Sequence, residues 1–465
     1  MKKWTTNDTI IALATPAGEG AIGIIRLSGS EAIAMANGLF DGKKSLTEVA
    51  SHTLHYGVLR DNERLLDEVL VSVFKGPHSY TGESVVEISC HGSSYILSEV
   101  MAAFIRKGAR LALPGEFTQR AFFNGKLDLS QAESVADIIA AENAIQHEMA
   151  FSQMRGGYAQ VLKQLREELI TFAGLIELEL DFSQEDVVFA DRRALEQLLM
   201  RLRTTVSDLI ASFSLGNVLK KGIPVAIVGE PNVGKSTLLN ALLNEEKAMV
   251  SDIAGTTRDV IEDVLSIEGV AFRFLDTAGL RETSDVLEAA GIERSYEKLK
   301  TAHVVLYLGD IRKPVEEWVG DVARLPLAAH QQVFLLLNKA DLVLSEEAVL
   351  KVEAIGKALG RKVMALSAKD GLQLDALKKH LVEWVIQHPS NRQGMIVSNA
   401  RHVEALKATL QSLEVIGEGM AQGISGDLLA IDIRMALFHL GSITGQVEID
   451  RDILGTIFGK FCIGK

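Results

Sequence analysis

One eight-residue run limits the fold of this chain more than any other feature. The run is Gly229-Glu230-Pro231-Asn232-Val233-Gly234-Lys235-Ser236, between a β-rich apolar segment and a segment of helical character. There, a Gly-x-x-x-x-Gly-Lys-Ser run lets backbone N–H groups surround an anion where a helix begins and its dipole is favourable. The sequence therefore predicts a strand–loop–helix unit that binds phosphate. Taken alone, the run could also be a glycine-containing turn with a surface lysine.

Three later motifs, each placed directly after a β-rich run, specify the nucleotide. They are Asp276-Thr277-Ala278-Gly279, Asn338-Lys339-Ala340-Asp341 and Ser367-Ala368-Lys369. Asp276 is placed to bind the Mg²⁺ shell, and the Gly279 N–H to meet a γ-phosphate. The Asp341 carboxylate can accept both N1–H and N2–H₂ of guanine, a pair that adenine lacks. Backbone groups of the third motif would donate to the guanine oxygen, so the four motifs together predict a domain that binds and hydrolyses GTP.

The distribution of prolines and of apolar spacing divides the chain. Short β-rich runs alternate with helical segments from Val225 to His388, which is typical of a mostly parallel, doubly wound α/β sheet. No proline occurs between Pro114 and Pro224 or after Pro389, and amphipathic spacing in those stretches predicts helices. We expect an N-terminal α+β domain over 1–124, a helical domain over 125–219 and 389–465, and a G domain over 220–388 inserted in the helical domain.

Composition excludes several classes of protein. The net charge of −13 argues against a protein that coats nucleic acid by charge alone. The two cysteines, Cys90 and Cys462, fit a reducing compartment and exclude a disulfide framework. No apolar run approaches the roughly 20 residues of a membrane helix, and the first residues are too polar for a signal peptide. We therefore expect a cytoplasmic protein with no membrane association.

The nucleotide motifs resemble those of Ras-like GTPases. The run Ser251–Asp259 resembles the first switch of the branch related to translation factors, and Thr257 would then be the second Mg²⁺ ligand. Ras carries a water-positioning glutamine directly after the Asp-x-x-Gly motif, but this chain has Leu280 there. The resemblance thus implies that another group organises hydrolysis.

Other segments make the resemblance more specific. They are Thr15–Arg26, Leu113–Phe122, Asn124–Leu129, Asp276–Glu282 and Phe461–Lys465. Together they resemble the MnmE (TrmE) family of tRNA-modifying GTPases, in order, from about Asp8 to Lys465. The resemblance implies addition of a carboxymethylaminomethyl or aminomethyl group to C5 of the wobble uridine of certain tRNAs. It also implies a homodimer, an FAD-binding partner, MnmG (GidA), in a heterotetramer or larger complex, and a one-carbon unit from 5-formyl- or 5,10-methylene-tetrahydrofolate.

The resemblance and the motifs together imply a set of site residues. The GTP contacts would be Gly229, Asn232, Val233, Gly234, Lys235, Ser236, Thr237, Ser251, Asp252, Ile253, Ala254, Gly255, Thr256, Thr257, Asp276, Thr277, Ala278, Gly279, Asn338, Lys339, Asp341, Ser367, Ala368 and Lys369. Mg²⁺ would be held by Ser236 and Thr257, and K⁺ by Asn232, Ser251, Ile253 and Thr256, although relatives carry threonine at the Ser251 position. Catalysis would use Lys235 and Glu288, with K⁺ stimulating hydrolysis through pairing of the G domains. The folate contacts would be Arg26, Glu87, Lys126 and Lys465.

Ordinary structural roles compete with several of these assignments. Glu87 could be the outward residue of a strand, and Arg26 and Lys126 could be surface charges. Cys462 could be a reactive thiol, or a small buried apolar residue. At the level of function, the alternatives are a ribosome-assembly GTPase and a protein whose N-terminal domain only dimerises while the partner does the chemistry.

Overall fold

The computed structural model describes residues 8–181, 192–247, 263–275, 299–328, 331–387, 396–446 and 464. The chain forms two compact units. Unit 1 consists of Met1–Ala140, Ala150–Ile210 and Ala400–Lys465, and unit 2 consists of Ala141–Met149 and Ala211–Asn399. The predicted domain boundaries stay predictions.

Unit 1 contains a seven-stranded sheet. Its strands are β1 (Ile10–Leu13), β2 (Ile22–Ser28), β3 (Phe40–Gly42), β4 (Thr53–Asp61), β5 (Arg64–Phe74), β6 (Val85–His91) and β7 (Arg110–Leu111). The spatial order is β3-β4-β5-β6-β2-β1-β7, and every pairing is antiparallel except that of β1 with β7. The strands predicted near 9–14, 23–27, 70–74 and 85–89 are confirmed, whereas β3, β4 and β7 were not foreseen.

Helices cover one face of this sheet. The helices α1 (Ala32–Asn37) and α2 (Ser94–Arg106) pack on alternate residues of β2, β5 and β6, which point to that face. The next helix, α3 (Glu116–Phe123), lies on the other face, where it buries Phe117 against Ile10 and Ala12 of β1; Ile11 between them points to the face of α1 and α2. Cys90 lies in the core under α1 and α2, and its burial, with the nearby charge of Asp67, raises the pKa of the thiol to about 12.

The remaining helices are α4 (Leu129–Ala140), α5 (Ala144–Met154), α6 (Gly157–Asp181), α7 (Arg192–Lys221) and, after unit 2, α12 (Ala400–Ala421) and α13 (Gly426–Thr444). Three of them, α6, α7 and α12, have apolar stripes at the predicted spacing. Leu162, Leu165, Leu169 and Ile176 of α6 are buried, as are Leu195, Leu198, Leu199 and Leu202 of α7 and Val403, Leu406, Leu413 and Ile416 of α12. Ile170, by contrast, is 43% exposed. The helices α6 and α12 both pack on α13 inside unit 1, and such packing of apolar stripes supplies most of the stability of helices in proteins.

A polar cluster ties α4, α6 and the start of α12 inside unit 1. Arg401 donates two hydrogen bonds to the Glu133 carboxylate, 2.9 and 3.0 Å long, and His402 Nε2 lies 2.7 Å from the same group. The Tyr158 hydroxyl is hydrogen-bonded to His402 Nδ1. Burial alone would raise the pKa of Glu133, but the charge and hydrogen bond of His402 and those of Arg401 lower it to about 2.

Unit 2 is built on a six-stranded sheet. Its strands are β8 (Ile223–Val228), β9 (Asp263–Ile267), β10 (Val270–Phe274), β11 (Val304–Asp310), β12 (Gln332–Asn338) and β13 (Val363–Ala365). The order is β13-β12-β11-β8-β10-β9, with only the β9–β10 pairing antiparallel. The described helices are α8 (Lys235–Lys247), α9 (Val315–Ala323), α10 (Ser345–Leu359) and α11 (Leu374–Gln387), with a short 3₁₀ turn at Ala340–Leu342.

The strand order locates a binding crevice. β8 lies between β11 and β10 in the sheet. The strands after β8 in the chain lie on both sides of it, with β11, β12 and β13 on one side and β10 and β9 on the other. In open α/β sheets, ligands bind outside the carboxyl ends of the strands at such a point. The glycine-rich run follows β8 there. Within the described part of the chain, no helix is both long and apolar enough to cross a membrane.

Candidate functional site

The loop after β8 has the shape that its glycines permit. Gly229 has φ +156°, and a Cβ there would lie 2.0 Å from the Leu308 carbonyl oxygen. Gly234 has φ +97°, and a Cβ there would lie 2.4 Å from Asn338 Nδ2. Asn232 between them has φ +60°, a conformation that asparagine tolerates better than most residues. Side chains at either glycine would therefore displace the loop from the neighbouring strand ends.

Lys235, the first residue of α8, lies across this loop. Its ammonium group donates hydrogen bonds of 2.7 Å to the carbonyl oxygens of Gly229 and Glu230. Burial lowers the pKa of Lys235, and the negative charge of Glu230 partly offsets this. Ser236 and Thr237 follow in the first turn of α8, where backbone N–H groups and the helix dipole favour an anion. The predicted phosphate loop is thus held around the ammonium group of Lys235 at the start of α8.

Asn338, the last residue of β12, joins two motifs. Its side-chain nitrogen donates to the Val233 carbonyl oxygen at 2.7 Å, and its side-chain oxygen accepts from the Ala368 N–H at 2.9 Å. The residue is 3% exposed, so both hydrogen bonds are buried. Asn338 therefore connects the phosphate loop to the loop after β13.

Asp341 is oriented by the third predicted motif. The Ser367 hydroxyl is 2.7 Å from Asp341 Oδ1 and 3.0 Å from Asp370 Oδ2. Ser367 also forms a backbone bridge with Leu372, which closes the loop after β13. The structure brings Lys235, Asn338, Asp341, Ser367 and Ala368 to the carboxyl edge of one sheet.

The sequence did not reveal a carboxylate that fixes Lys339. Asp310, at the end of β11, lies 3.0 Å from Lys339 Nζ and 2.6 Å from Arg312. The hydrogen bond from Arg312 lowers the pKa of Asp310 most, and Lys339 lowers it further. The only signal in the sequence was the position of Asp310 after a β-rich run, at the same edge as the other motifs.

Several predicted site residues lie outside the described residues. They are Ser251, Asp252, Ile253, Ala254, Gly255, Thr256, Thr257, Asp276, Thr277, Ala278, Gly279, Glu288, Cys462 and Lys465. Their assigned roles stay predictions.

In unit 1, the structure brings together two of the residues assigned to folate. Arg26 on β2 is opposite Glu87 on β6, and the guanidinium lies 2.7–2.8 Å from Glu87 Oε1. Arg26 also donates to the Gly464 carbonyl oxygen at 3.3 Å, next to Lys465 in the chain. Its guanidinium carbon lies 5.8 Å from the centre of the Tyr80 ring and 5.7 Å from that of Phe117.

Lys126 joins this region through a loop. Its ammonium group donates to the Pro77 carbonyl oxygen at 3.0 Å, three residues before Tyr80. Sequence reasoning missed Tyr80. Phe117, in contrast, belongs to the segment Leu113–Phe122, which carries part of the family resemblance.

The same segment supplies a buried ion-pair network. Arg120 is fully buried and pairs with Glu116 at 3.1 Å, Asp8 at 2.8 Å and Glu83 at 3.1 Å. Glu116 is in turn 2.6 Å from Arg110. These charges hold α3 and the loop before β6 in place, which gives part of the segment a structural role.

Comparison with known proteins finds relatives that match nearly the whole chain. The family model for the MnmE helical domain matches residues 129–462, and the model for the GTP-binding protein TrmE N-terminus matches residues 9–126. A protein of Flavobacterium johnsoniae named tRNA modification GTPase MnmE is 51% identical over 98% of this chain and 99% of its own length. A protein of the same name from Christiangramia forsetii is 52% identical over 99% of each.

The chain belongs to the MnmE family of tRNA modification GTPases. The family membership that the motifs predicted is confirmed over nearly the whole length of the chain. Among solved structures, the FeoB G-domain of Methanococcus jannaschii is 26% identical over 35% of this chain and 97% of that chain, with a TM-score of 0.26. The fold of unit 2 in this MnmE-family member rests instead on its own strand order and motif loops.

Proposed function

We propose that this protein is a tRNA modification GTPase with two linked activities, GTP hydrolysis in unit 2 and one-carbon chemistry in unit 1. The observation that carries the proposal is the convergence of Lys235, Asn338, Asp341 and Ser367 at one sheet edge. Lys235 and the start of α8 would hold the phosphates, and Asp341 would accept the guanine N–H groups. The family membership then favours tRNA as the target.

The cations implied by the family suit the residues of the phosphate loop. The close approaches at Gly229 and Gly234 keep this loop free of side chains that would fill a phosphate cradle. Mg²⁺ would be held by Ser236 and Thr257, and it would neutralise charge on the β- and γ-phosphates. K⁺ would be held by Asn232 with Ser251, Ile253 and Thr256, whose oxygens suit a weakly hydrated monovalent ion. Glu288 would orient the attacking water, since Leu280 replaces the glutamine of Ras.

The folate site is proposed on the Arg26–Glu87 pair. A strand pair that places a guanidinium, a carboxylate and the Tyr80 ring together offers both polar and aromatic contacts to a pterin. Lys126 and Lys465 would complete the site, and Cys462 remains a candidate thiol. The tetrahydrofolate would supply the one-carbon unit, and the FAD of the partner MnmG would supply redox chemistry.

The proposed assembly is a cytoplasmic homodimer that works with MnmG on the wobble uridine of certain tRNAs. In it, the GTPase cycle would open and close the dimer during modification, with K⁺ driving the pairing of G domains. Equal GTPase rates in sodium and potassium would contradict the role of K⁺. Retained turnover in Glu288→Ala would contradict the role of Glu288.

The decisive experiment is mass spectrometry of tRNA nucleosides. Cells lacking the gene should lose the C5-substituted wobble uridines, and the wild-type gene should restore them. A copy with Lys235→Ala should not restore them, because hydrolysis drives the cycle. An unchanged nucleoside profile in the deletion strain would overturn the modification role and favour a ribosome-assembly GTPase.

A further inference from the structure

The phosphate loop carries a carboxylate that is bound by a lysine from another element. Glu230 is the second residue of the loop, and its Oε1 lies 2.6 Å from Nζ of Lys313, just before α9. The Lys313 side chain is 14% exposed, whereas that of Glu230 is 53% exposed. The lysine is therefore the fixed partner of the pair, and the glutamate is the one that can move.

Lys313 is held in place from the interior of unit 2. It also pairs with Asp321 of α9, and Glu317 lies 3.9 Å away. Burial and the nearby charge of Asp321 raise the pKa of Tyr307, whose buried ring packs edge-to-face on Trp318 with ring centres 5.4 Å apart. This chain of contacts connects the Lys313 ammonium group to the hydrophobic core.

The charge of Glu230 acts on the group that would bind phosphate. The backbone oxygen of Glu230 accepts a hydrogen bond from Lys235. Burial lowers the pKa of that lysine, and the negative charge of Glu230 partly offsets this. A carboxylate and a phosphate oxygen present similar acceptors to an ammonium group. A Glu230 side chain that turned toward Lys235 would compete with the nucleotide for it and would repel a triphosphate.

We propose that Lys313 is a positioning residue that neutralises Glu230 and keeps its carboxylate from competing with nucleotide phosphates for Lys235. The inference rests on the proposed GTP binding and adds a determinant of phosphate affinity outside the four motifs. The Glu230–Lys313 pair thus has a role beyond stability, since an ion pair with an exposed partner contributes little to the free energy of folding.

A double-mutant cycle on the full-length protein tests this role. The probes are fluorescent N-methylanthraniloyl GDP and GTP, titrated into wild type, Lys313→Met, Glu230→Gln and the double variant. Lys313→Met removes the ion pairs of Lys313 with Glu230 and Asp321 and releases the Glu230 carboxylate, so it should raise both dissociation constants about three- to tenfold. Glu230→Gln should bind at least as well as wild type, and the double variant should return to the wild-type value, since no competing carboxylate remains.

A matched variant on α10 controls for the loss of a lysine that is hydrogen-bonded to the same loop. Lys351 donates to the Ile311 carbonyl oxygen at 2.8 Å and has a similarly shielded side chain. Lys351→Met should leave both constants unchanged. Competition by guanosine, which lacks phosphate, should be equal in wild type and Lys313→Met.

Four results would overturn the inference. Unchanged affinity in Lys313→Met would show that Glu230 does not compete. A double variant as weak as Lys313→Met, or an equal loss of guanosine affinity, would show that Lys313 only maintains the fold of the loop. Wild-type protein that binds neither labelled nucleotide would overturn the proposed GTP binding itself, and the inference with it.

Discussion

The bridge made by Asn338 leads to a prediction about local stability. Replacing Asn338 with alanine removes both of its hydrogen bonds and leaves the Val233 carbonyl and the Ala368 N–H without their partner in a buried site. We expect the phosphate loop and the loop after β13 to separate more easily and nucleotide affinity to fall.

The magnitude follows from the cost of unsatisfied buried groups. Each lost partner in a buried position costs about 1–3 kcal/mol, so two together cost roughly 2–4 kcal/mol once some water reaches them. Each 1.4 kcal/mol is a factor of ten in an equilibrium constant, so local opening should become roughly 30- to 900-fold more frequent.

Hydrogen exchange followed by mass spectrometry measures this opening directly. Peptides that contain Val233 and Ala368 should exchange faster in Asn338→Ala than in wild type, while peptides of the unit 1 sheet should be unchanged. Asn338→Asp is the matched variant, because it keeps the acceptor for the Ala368 N–H and loses the donor to Val233. In that variant, we expect faster exchange mainly in the phosphate loop.

Two results would refute this reasoning. Wild-type exchange in both peptides of Asn338→Ala would show that the bridge does not hold the loops. Faster exchange throughout unit 1 as well would show that the substitution acts through general unfolding.

Three further predictions concern other parts of the molecule. The pKa of Glu133 falls from the ordinary 4.5 to about 2 on folding, so its contribution to the free energy of unfolding is present above pH 4.5 and is lost as the pH falls toward 2. Glu133→Gln should therefore cost roughly 3 kcal/mol at pH 7 and flatten the pH dependence of urea unfolding between pH 4.5 and 2. Parallel curves of unfolding free energy against pH for wild type and variant would contradict this. Asp341→Asn should weaken GTP binding and strengthen binding of xanthosine triphosphate, whose C2 carries an oxygen in place of the guanine amino group; unchanged GTP affinity would argue against base recognition by Asp341. Gly234→Ala should lower nucleotide affinity about tenfold or more, because its Cβ would meet Asn338 Nδ2 at 2.4 Å, whereas Gly320→Ala on α9, with no atom within 4 Å, should bind normally; equal binding by both would refute the clash.

The sequence predicted local structure well because local structure depends on near neighbours. The strand before the phosphate loop, the helix after it and the strands before Asn338 and Ser367 are all present, since each motif needs a particular backbone turn at a strand end. The apolar stripes of the long helices were likewise readable from their spacing. Ile170 was an exception, because periodicity cannot tell where the edge of a stripe meets solvent.

Contacts between distant residues were not predictable in the same way. Alternation along β2 and β6 shows that Arg26 and Glu87 each point to one face, but only the register of the two strands places them opposite each other. The partners of Lys339 and Glu230 come from the end of β11 and the loop after it, and no motif announces them. Such pairs depend on how the sheet assembles.

The buried state of Cys90 has a consequence for how the motions of this protein can be measured. A thiol with a pKa of about 12 in the core carries almost no thiolate near neutral pH, so maleimide or nitroxide reagents should pass it by. The only other cysteine is Cys462, so one substitution, Cys462→Ser, should leave a chain without a labelling site. Pairs of cysteines introduced on exposed helices would then carry fluorophores or spin labels, and distances between the units could be followed through a round of GTP turnover.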